Sequence, residues 1–286
     1  MIAIAIGVQI IKHNRSIWGK TYSIHSKILN KSRTIRVYLP AGYKKSVPNN
    51  QLYPVVYLFD GDALYSPVLD ALKQLRNRSD AAYPEMIVVA IKHTDRARDF
   101  TPTSSLIGPE GNKLDMLKSS GGSENFIDFV QKELIPHIES VYPASPQKIL
   151  IGYSLGGLTV MIIFIHQNKM FDAYAAIDPS MWWDGNKALS EAMMKVNNID
   201  FTSSSLFIAV ANTMPAGMDI KQVKNDATAS TNHIRSILGL IGILKRNCGN
   251  GFNWEHKYYP DTDHDSVVSP GVYDALKFLF DKTRET

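Results

Sequence analysis

The sequence has a single cysteine, Cys248, so it cannot form an internal disulfide or a cysteine-based metal cage. It has no apolar run near the ~20 residues that a membrane-spanning helix needs, and no internal repeat or low-complexity tract. Only 20% of the residues are charged and the formal net charge is +4, unlike the basic stripe of a nucleic-acid-binding protein. The composition therefore predicts neither nucleic-acid binding nor a membrane span.

The remaining composition is that of a globular protein. The chain of 286 residues has 44% hydrophobic content, which is enough to bury a large core, and we expect one domain over residues 1–286. Residues 1–20 start apolar, with no basic residues ahead of the apolar stretch and no small-residue cleavage site, so we interpret them as a possible flexible or signal-like N-terminus. The incomplete export signal slightly favours the cytoplasm over the periplasm without deciding between them. No pattern in the sequence predicts an oligomeric state.

Buried strands alternate with helices along most of the chain. The segments "YPVVYLFDG" and "MIVVAIKH" are typical of buried strands, and "ALYSPVLDALKQLRN" between them is typical of a helix. Such alternation predicts an α/β fold with a mostly parallel sheet and helices on both faces. The segment after Thr21, "YSIHSKILNKSRTIRVYLPAGY", predicts an antiparallel edge. A long polar loop over residues 93–122 is of a length that is often functional.

The stretch "KILIGYSLGGLTV" contains the pattern glycine, any residue, serine, any residue, glycine around Ser154. This pattern is typical of a strained strand-to-helix turn that exposes a nucleophilic serine. A β-branched strand precedes Ser154 and an apolar helix follows it, as that turn requires. The backbone amide of Leu155 would then lie at a helix N-terminus and stabilise a developing oxyanion.

A nucleophilic serine needs a base, and the sequence has eight histidines. His264 lies in "YYPDTDHDSVVSP", after the last strand and before the last helix, where this kind of fold delivers its histidine. His166 and His233 lie in apolar helical patterns and are interpreted as packed or partly buried side chains, while His256 belongs to a strand, so all three are weaker candidates. We therefore predict His264 as the base.

The acid of the predicted triad should follow the strand "SLFIAVA". The next segment, "NTMPAGMDIKQVKNDATAS", contains Asp219 and Asp226, and both fit the chain order. We predict Asp226, because Asp219 follows the turn at Gly217 and fits a helix cap. Three alternatives stay open: Asp219 as the acid, another acid, or a serine–histidine pair without one.

The second oxyanion donor should come from the loop after an early strand. "YLFDGDALY" ends a strand in Asp60-Gly61-Asp62 where a helix begins, so we predict the backbone amide of Asp62. A metal held by Asp60 and Asp62 is the competing interpretation. Two carboxylates supply too few oxygen ligands for a hard cation, so we predict no metal site.

Several of these stretches together resemble one branch of a known superfamily. The segments "VVYLFDGDALY", "HTDRARDFTPT", "ILIGYSLGGL", "AIDPSMWWD", "ANTMPAGMD" and "DHDSV" resemble the esterase D-like α/β-hydrolases over roughly residues 26–282. That group includes siderophore esterases, feruloyl esterases and S-formylglutathione hydrolases. The resemblance implies a cofactor-free serine ester hydrolase of small molecules with Ser154 and His264 as nucleophile and base, and Leu155 and Asp62 at the oxyanion positions. Relatives often have glycine or serine where this chain has Asp265.

Further substrate contacts can be proposed from the same segments. Arg98, or Arg96 beside it, suits an anionic or phenolic substrate, and an ion pair with Asp95 or Asp99 is the structural alternative. Trp182 and Trp183 are predicted to line an acyl pocket, with core packing as the alternative. Other functions consistent with the sequence are acyl transfer, thioester hydrolysis and, from a different class, a non-catalytic binding module on a hydrolase scaffold.

Overall fold

The computed structural model describes residues 19–40, 43, 51–78, 83–248 and 251–281. Within these residues one sheet of eight strands has the order β1-β2-β4-β3-β5-β6-β7-β8. The strands are β1 (Lys20–Ser26), β2 (Lys31–Tyr38), β3 (Tyr53–Leu58), β4 (Ile87–Ile91), β5 (Ala144–Tyr153), β6 (Ala173–Ile177), β7 (Ser205–Ala211) and β8 (Asn253–Tyr259). β1 pairs antiparallel with β2, and β2 pairs antiparallel with β4. All other neighbouring strands in the sheet are parallel. The predicted α/β fold class with an antiparallel N-terminal edge is confirmed.

Helices connect the parallel strands. They are α1 (Gly61–Arg76), α2 (Arg96–Phe100), α3 (Ser123–Phe129), α4 (Ile135–Val141), α5 (Leu155–Gln167), α6 (Trp183–Lys195), α7 (Ile220–Asn225), α8 (Asn232–Asn247) and α9 (Val268–Asp281). A π-helical turn, Val130–Leu134, joins α3 to α4. Within the described residues, none of the helices combines the length and the apolar content needed to cross a bilayer. Residues 1–18 lie outside the described part of the chain, so the interpretation of the N-terminus stays a prediction.

The core consists of two apolar layers, one on each face of the sheet. Along β5, Leu150 belongs to one layer, while Ile149 and Ile151 belong to the other, as the two-residue period of a strand requires. Helices α1 and α9 pack on the second layer, and α3 to α6 with α8 cover the first. Because both faces are covered, the central strands are apolar throughout, and polar side chains collect at the strand ends.

The segment between β4 and α3, predicted as a polar loop, contains the short helix α2 and a 3₁₀ turn, Asp115–Leu117. α2 is anchored to β2 by a fully buried ion pair, in which Arg33 Nη1 lies 2.6 Å from Asp99 Oδ2. Phe100 at the end of α2 stacks on Phe59 with ring centroids 5.7 Å apart. These contacts fix α2 beside the carboxyl ends of the central strands, which is the side of the sheet where Ser154 lies.

Candidate active site

Ser154 lies in the turn that joins β5 to α5. Its backbone dihedrals are φ 57° and ψ −116°, a region that residues other than glycine rarely occupy. A side chain at Gly152 would place Cβ 2.6 Å from the carbonyl carbon of Gly156, so the turn closes only without one. The structure therefore contains the strained strand-to-helix turn that the glycine-flanked serine predicts.

The turn leaves backbone N–H groups near the Ser154 hydroxyl. Leu155 is the first residue of α5, and the first amides of a helix have no carbonyl partner within it. A Cβ at Gly156 would lie 2.8 Å from Asp60 Oδ2, so the start of α5 meets the residue before α1 closely. The first turn of α5 thus lies close to the residue that precedes α1, and an anion at the start of α5 would meet the positive end of that helix dipole.

His264 lies between β8 and α9, and its imidazole reaches Ser154. The Nε2 atom is 3.0 Å from Ser154 Oγ, which is hydrogen-bond distance. The ring packs against that of Tyr153 at a centroid distance of 4.9 Å, and the Tyr153 hydroxyl donates to Asp265 Oδ1 at 2.9 Å. Asp265 thus ties the histidine loop to the end of β5.

The carboxylate beside His264 is Asp178, which the sequence analysis did not propose. Its Oδ2 atom lies 2.6 Å from His264 Nδ1, and its Oδ1 atom accepts the Ala211 amide at 2.9 Å. Asp178 directly follows β6, has φ 43° and is fully buried. A sequence signal did exist, because "AIDPS" places an aspartate at the carboxyl end of the strand next to the serine's own strand.

The prediction of Asp226 as the acid is wrong, because Asp178 and not Asp226 contacts His264. Its carboxylate accepts hydrogen bonds from Thr228 and from Thr231, the latter at 2.6 Å, and it lies 3.7 Å from Arg235 Nη1. These local bonds hold the pKa of Asp226 below its usual value. Asp219 forms a capping box with Gln222, accepting its amide at 2.7 Å. Neither carboxylate contacts His264 among the described residues.

A second imidazole also contacts Asp178. His233 Nε2 lies 2.8 Å from Asp178 Oδ2, the same oxygen that His264 contacts. Burial alone would raise the pKa of Asp178, but the hydrogen bonds from His233 and then His264 hold that pKa well below its usual range. His233 is partly buried, as its apolar helical pattern predicted, but its contact with Asp178 was not predicted.

The three side chains of Asp178, His233 and His264 place potential ligand atoms within 4.8 Å of one another. Nitrogen–oxygen distances of 2.6 and 2.8 Å are those of charge-assisted hydrogen bonds. A proton between each nitrogen and the oxygen accounts for these distances. We therefore interpret the group as a hydrogen-bonded network.

The second oxyanion donor stays a prediction. Asp62 is the second residue of α1, where helix amides lack intrahelical partners. Its side chain is 43% exposed and lies 4.0 Å from Lys92. No contact joins Asp62 to Ser154 within the described residues.

Ser154 opens into a cavity of about 380 Å³. Its wall includes both imidazoles, Arg96, five residues between positions 109 and 117, and residues 229–230. Trp182 lines the cavity as predicted, whereas Trp183 is fully buried and its indole N–H donates to Thr103 Oγ1 at 3.2 Å. The prediction that Trp183 lines the pocket is wrong, and core packing accounts for it.

Of the two candidate arginines, Arg96 lines the cavity and Arg98 does not. Arg98 lies 3.0 Å from Asp99 Oδ1 and 3.7 Å from Asp95 Oδ2, so the structural ion pair replaces the predicted substrate contact. Arg96 forms a bidentate pair with Asp60, with nitrogen–oxygen distances of 2.6 and 2.8 Å. That pair connects the cavity wall to the residue that precedes α1.

The strand order, the antiparallel edge and the position of Ser154 after the fifth strand are those of one superfamily. A serine held in such a turn and hydrogen-bonded to a histidine from the last loop places this molecule among the α/β-hydrolases.

Comparison with known proteins narrows this class. The family model described as "Putative esterase" matches residues 26–231. The siderophore enterobactin esterase of Emericella nidulans is 27% identical over 252 residues, 78% of this chain and 81% of the relative. The siderophore triacetylfusarinine C esterase of Aspergillus fumigatus is 27% identical over 268 residues, 86% and 88% of the two chains. An IroE-like serine hydrolase from Shewanella oneidensis is 33% identical, with a TM-score of 0.80, covering 92% of this chain and 80% of that one. The chain belongs to this esterase family and is a carboxylic ester hydrolase.

Proposed function

We propose that this chain hydrolyses ester bonds of siderophore-type small molecules through an acyl-enzyme formed on Ser154. The observation that carries the proposal is the unbroken hydrogen-bonded series from Asp178 through His264 to Ser154, with distances of 2.6 and 3.0 Å, at the wall of a cavity. The substrate class is supported by the relatives, whose names describe them as esterases of enterobactin and triacetylfusarinine C.

In the first half of the reaction, Ser154 Oγ attacks the ester carbonyl carbon while His264 Nε2 takes the hydroxyl proton. Asp178 stabilises the imidazolium that forms and keeps the Nδ1 proton on the side of the ring away from Ser154. The carbonyl oxygen becomes an oxyanion, which the amides of Leu155 and Asp62 would stabilise. Each such donor contributes about 3 kcal/mol in comparable sites.

Collapse of this intermediate breaks the ester bond. The His264 imidazolium returns its proton to the departing alkoxide, which leaves as an alcohol, and the acyl group stays on Ser154. A water then loses a proton to His264 and attacks the acyl carbon. The carboxylic acid departs when the proton returns to Ser154 Oγ, so atoms and charges balance without an added cofactor.

The cavity wall supports a substrate with an apolar or aromatic acyl part. Leu114, Met116, Leu117 and Trp182 all contribute to it, and the Met116 side chain is 76% exposed at the rim. A volume of about 380 Å³ lies within the range of small-molecule sites. The guanidinium of Arg96 is paired with Asp60, so the wall does not carry a strong net positive charge.

A substrate panel tests the proposal. The purified enzyme and its Ser154→Ala variant are assayed on a triscatecholate trilactone, a cyclic ester-linked hydroxamate, a feruloyl ester and S-formylglutathione. We expect the enzyme to cleave a siderophore ester with the largest kcat/KM and the Ser154→Ala variant to be inactive on all four substrates. Adding glycerol as an acyl acceptor distinguishes transfer from hydrolysis.

Four results would contradict the proposal. A higher kcat/KM on the feruloyl ester would assign an aromatic ester as the substrate. A higher kcat/KM on S-formylglutathione would assign thioester hydrolysis, and mostly glycerol ester as product would assign acyl transfer. Binding of all substrates without turnover would favour a non-catalytic binding module.

A further inference from the structure

Two histidines share one oxygen of the buried Asp178 carboxylate. His264 Nδ1 and His233 Nε2 lie 2.6 and 2.8 Å from Oδ2, and the Ala211 amide lies 2.9 Å from Oδ1. The mechanism above uses His264 and Asp178 but assigns no role to His233. Its side chain is 14% exposed and forms part of the cavity wall.

The protons in this network follow from its chemistry. An ionised carboxylate only accepts hydrogen bonds, so both nitrogens that contact Asp178 must carry hydrogen. Two N–H groups converging on one oxygen, with a third on the other, leave the carboxylate no freedom to rotate. The His233 ring meets the His264 ring edge-to-face at a centroid distance of 5.0 Å, so it also restricts that ring's tilt.

Helix α8 holds His233 independently of the nucleophile turn. His233 is the second residue of α8, and the Ser236 hydroxyl donates to its carbonyl at 2.7 Å. The preceding Asn232 donates to the Pro109 carbonyl at 3.2 Å. The position of His233 is therefore set by α8 and by the cavity loop, not by Ser154.

We propose that His233 is a positioning residue for ester hydrolysis, whose Nε2–H fixes Asp178 toward His264 and moderates the negative charge that Asp178 presents to it. The inference rests on the proposed function, since it concerns the same reaction. A hydrogen bond to a charged group contributes more than one between neutral groups. Without this bond, the carboxylate would be less well oriented and would attract the His264 proton more strongly.

The pH dependence of kcat/KM reports this second effect, because only the neutral His264 imidazole can act as base. The charged and titratable groups around the two imidazoles are Asp178 after β6, Tyr153 at the end of β5, Arg96 on α2, Glu110 in the cavity loop, and Asp263 and Asp265 beside His264. All of them are unchanged in a His233 variant. A difference between the pH profiles of the unmodified protein and the variant is therefore due to His233.

Two substitutions separate the hydrogen bond from the packing. His233→Gln places an amide nitrogen at the position of Nε2 and retains a donor, whereas His233→Leu fills a similar volume without one. Hydrolysis of p-nitrophenyl acetate is measured from pH 5 to 9 with EDTA present throughout.

For His233→Leu we expect kcat to fall about 10- to 100-fold, the loss of one hydrogen bond to a charged group, with KM within about threefold. The rise of kcat/KM on the acid side of its pH profile should move to higher pH by roughly 0.5 to 1, because a carboxylate with one donor fewer favours the protonated imidazole. His233→Gln should restore both kcat and the position of the acid side of the pH profile.

Controls distinguish the ways this can fail. His166 is a matched control, because its Nε2 also lies 2.8 Å from a carboxylate oxygen, Glu191 Oε2, but it does not line the cavity. His166→Leu should change neither kcat nor the pH profile. Activity surviving in Ser154→Ala would refute the proposed function itself. If Ser154→Ala is inactive while folded His233→Leu keeps the unmodified kcat and pH profile, the role of His233 is refuted. Failure of folded His233→Gln to restore them refutes it equally. Should His233→Leu not fold, His233→Asn, whose shorter amide falls short of Asp178, replaces it as the variant without the donor.

Discussion

Replacing Asp178 by asparagine should disable turnover without unfolding the protein. Asp178 has φ 43°, a conformation that asparagine tolerates better than most residues, and the amide is the same size as the carboxylate. The carboxylate accepts N–H groups on both oxygens, from the two imidazoles on Oδ2 and from Ala211 on Oδ1. An asparagine can offer an oxygen on only one of these sides.

Both orientations of that asparagine are costly. If its NH₂ group faces the imidazoles, His264 must turn its Nδ1 lone pair toward it and carry hydrogen on Nε2, where it can no longer accept the Ser154 proton. If the NH₂ group faces Ala211, two donors meet in a fully buried place. The first orientation gives the wrong tautomer, for which a loss of about 10⁴ in kcat is typical. This corresponds to about 5 kcal/mol of transition-state stabilisation.

The assay compares Asp178→Asn with Asp226→Asn, the variant that the sequence analysis would choose. Hydrolysis of p-nitrophenyl acetate at pH 8 gives kcat, circular dichroism shows that both variants are folded, and Ser154→Ala sets the background. We expect Asp178→Asn to lose about 10⁴ in kcat and Asp226→Asn to stay within about threefold, because the Asp226 carboxylate bonds to Thr228 and Thr231 and lies near Arg235, away from His264. A folded Asp178→Asn within tenfold of the unmodified kcat would refute the assignment of Asp178.

Three further predictions concern Tyr153, Cys248 and the pH dependence of stability. Tyr153→Phe should reduce kcat about three- to tenfold in the same assay, because it removes the bond that ties Asp265 and the His264 loop to β5; an unchanged kcat would contradict this. Burial raises the pKa of the Cys248 thiol to about 11, so iodoacetamide at pH 8 should label it about tenfold more slowly than an unshifted thiol, because the smaller thiolate fraction outweighs the higher nucleophilicity; equal rates would disprove it. Because the pKa of folded Asp178 lies below its unfolded value, its contribution to stability is complete above about pH 5 and is lost as the pH falls below about 4. The difference in unfolding free energy between the unmodified protein and Asp178→Asn, measured by urea titration, should narrow in that window, and a constant difference would contradict it.

The fold followed from the sequence because its signals are local and repeated. Runs such as "MIVVAI" are apolar throughout, since both faces of the central strands are covered, and helices of regular period separate them. The structure of the segment 93–122 was harder to predict. Its helix α2 has only five residues and is stabilised by a buried ion pair between Asp99 and Arg33, which lies in β2. A pair 66 residues apart in the chain leaves no periodic pattern.

The candidate site could be predicted only where a turn or a loop defines it. Ser154 is marked by glycines that the turn requires, and His264 by its place before the last helix. Asp178 lies after β6, whereas the acid was sought after β7, and these two strands are parallel neighbours whose carboxyl ends lie at the same edge of the sheet. The contacts between Asp178 and the histidines, 55 and 86 residues away, exist only in the folded chain. The partial burial of His233 was predictable from the apolar pattern of its helix, whereas its contact with Asp178 was not, for the same reason.

The central claim is that Ser154 forms a covalent acyl-enzyme with the help of His264. The most direct test is intact-mass and peptide mass spectrometry of the protein treated with a fluorophosphonate, which traps activated serines. We expect one adduct, located on Ser154, that is absent in Ser154→Ala and forms at least 10³-fold more slowly in His264→Ala. An adduct on another residue, or one that persists in Ser154→Ala, would contradict the account.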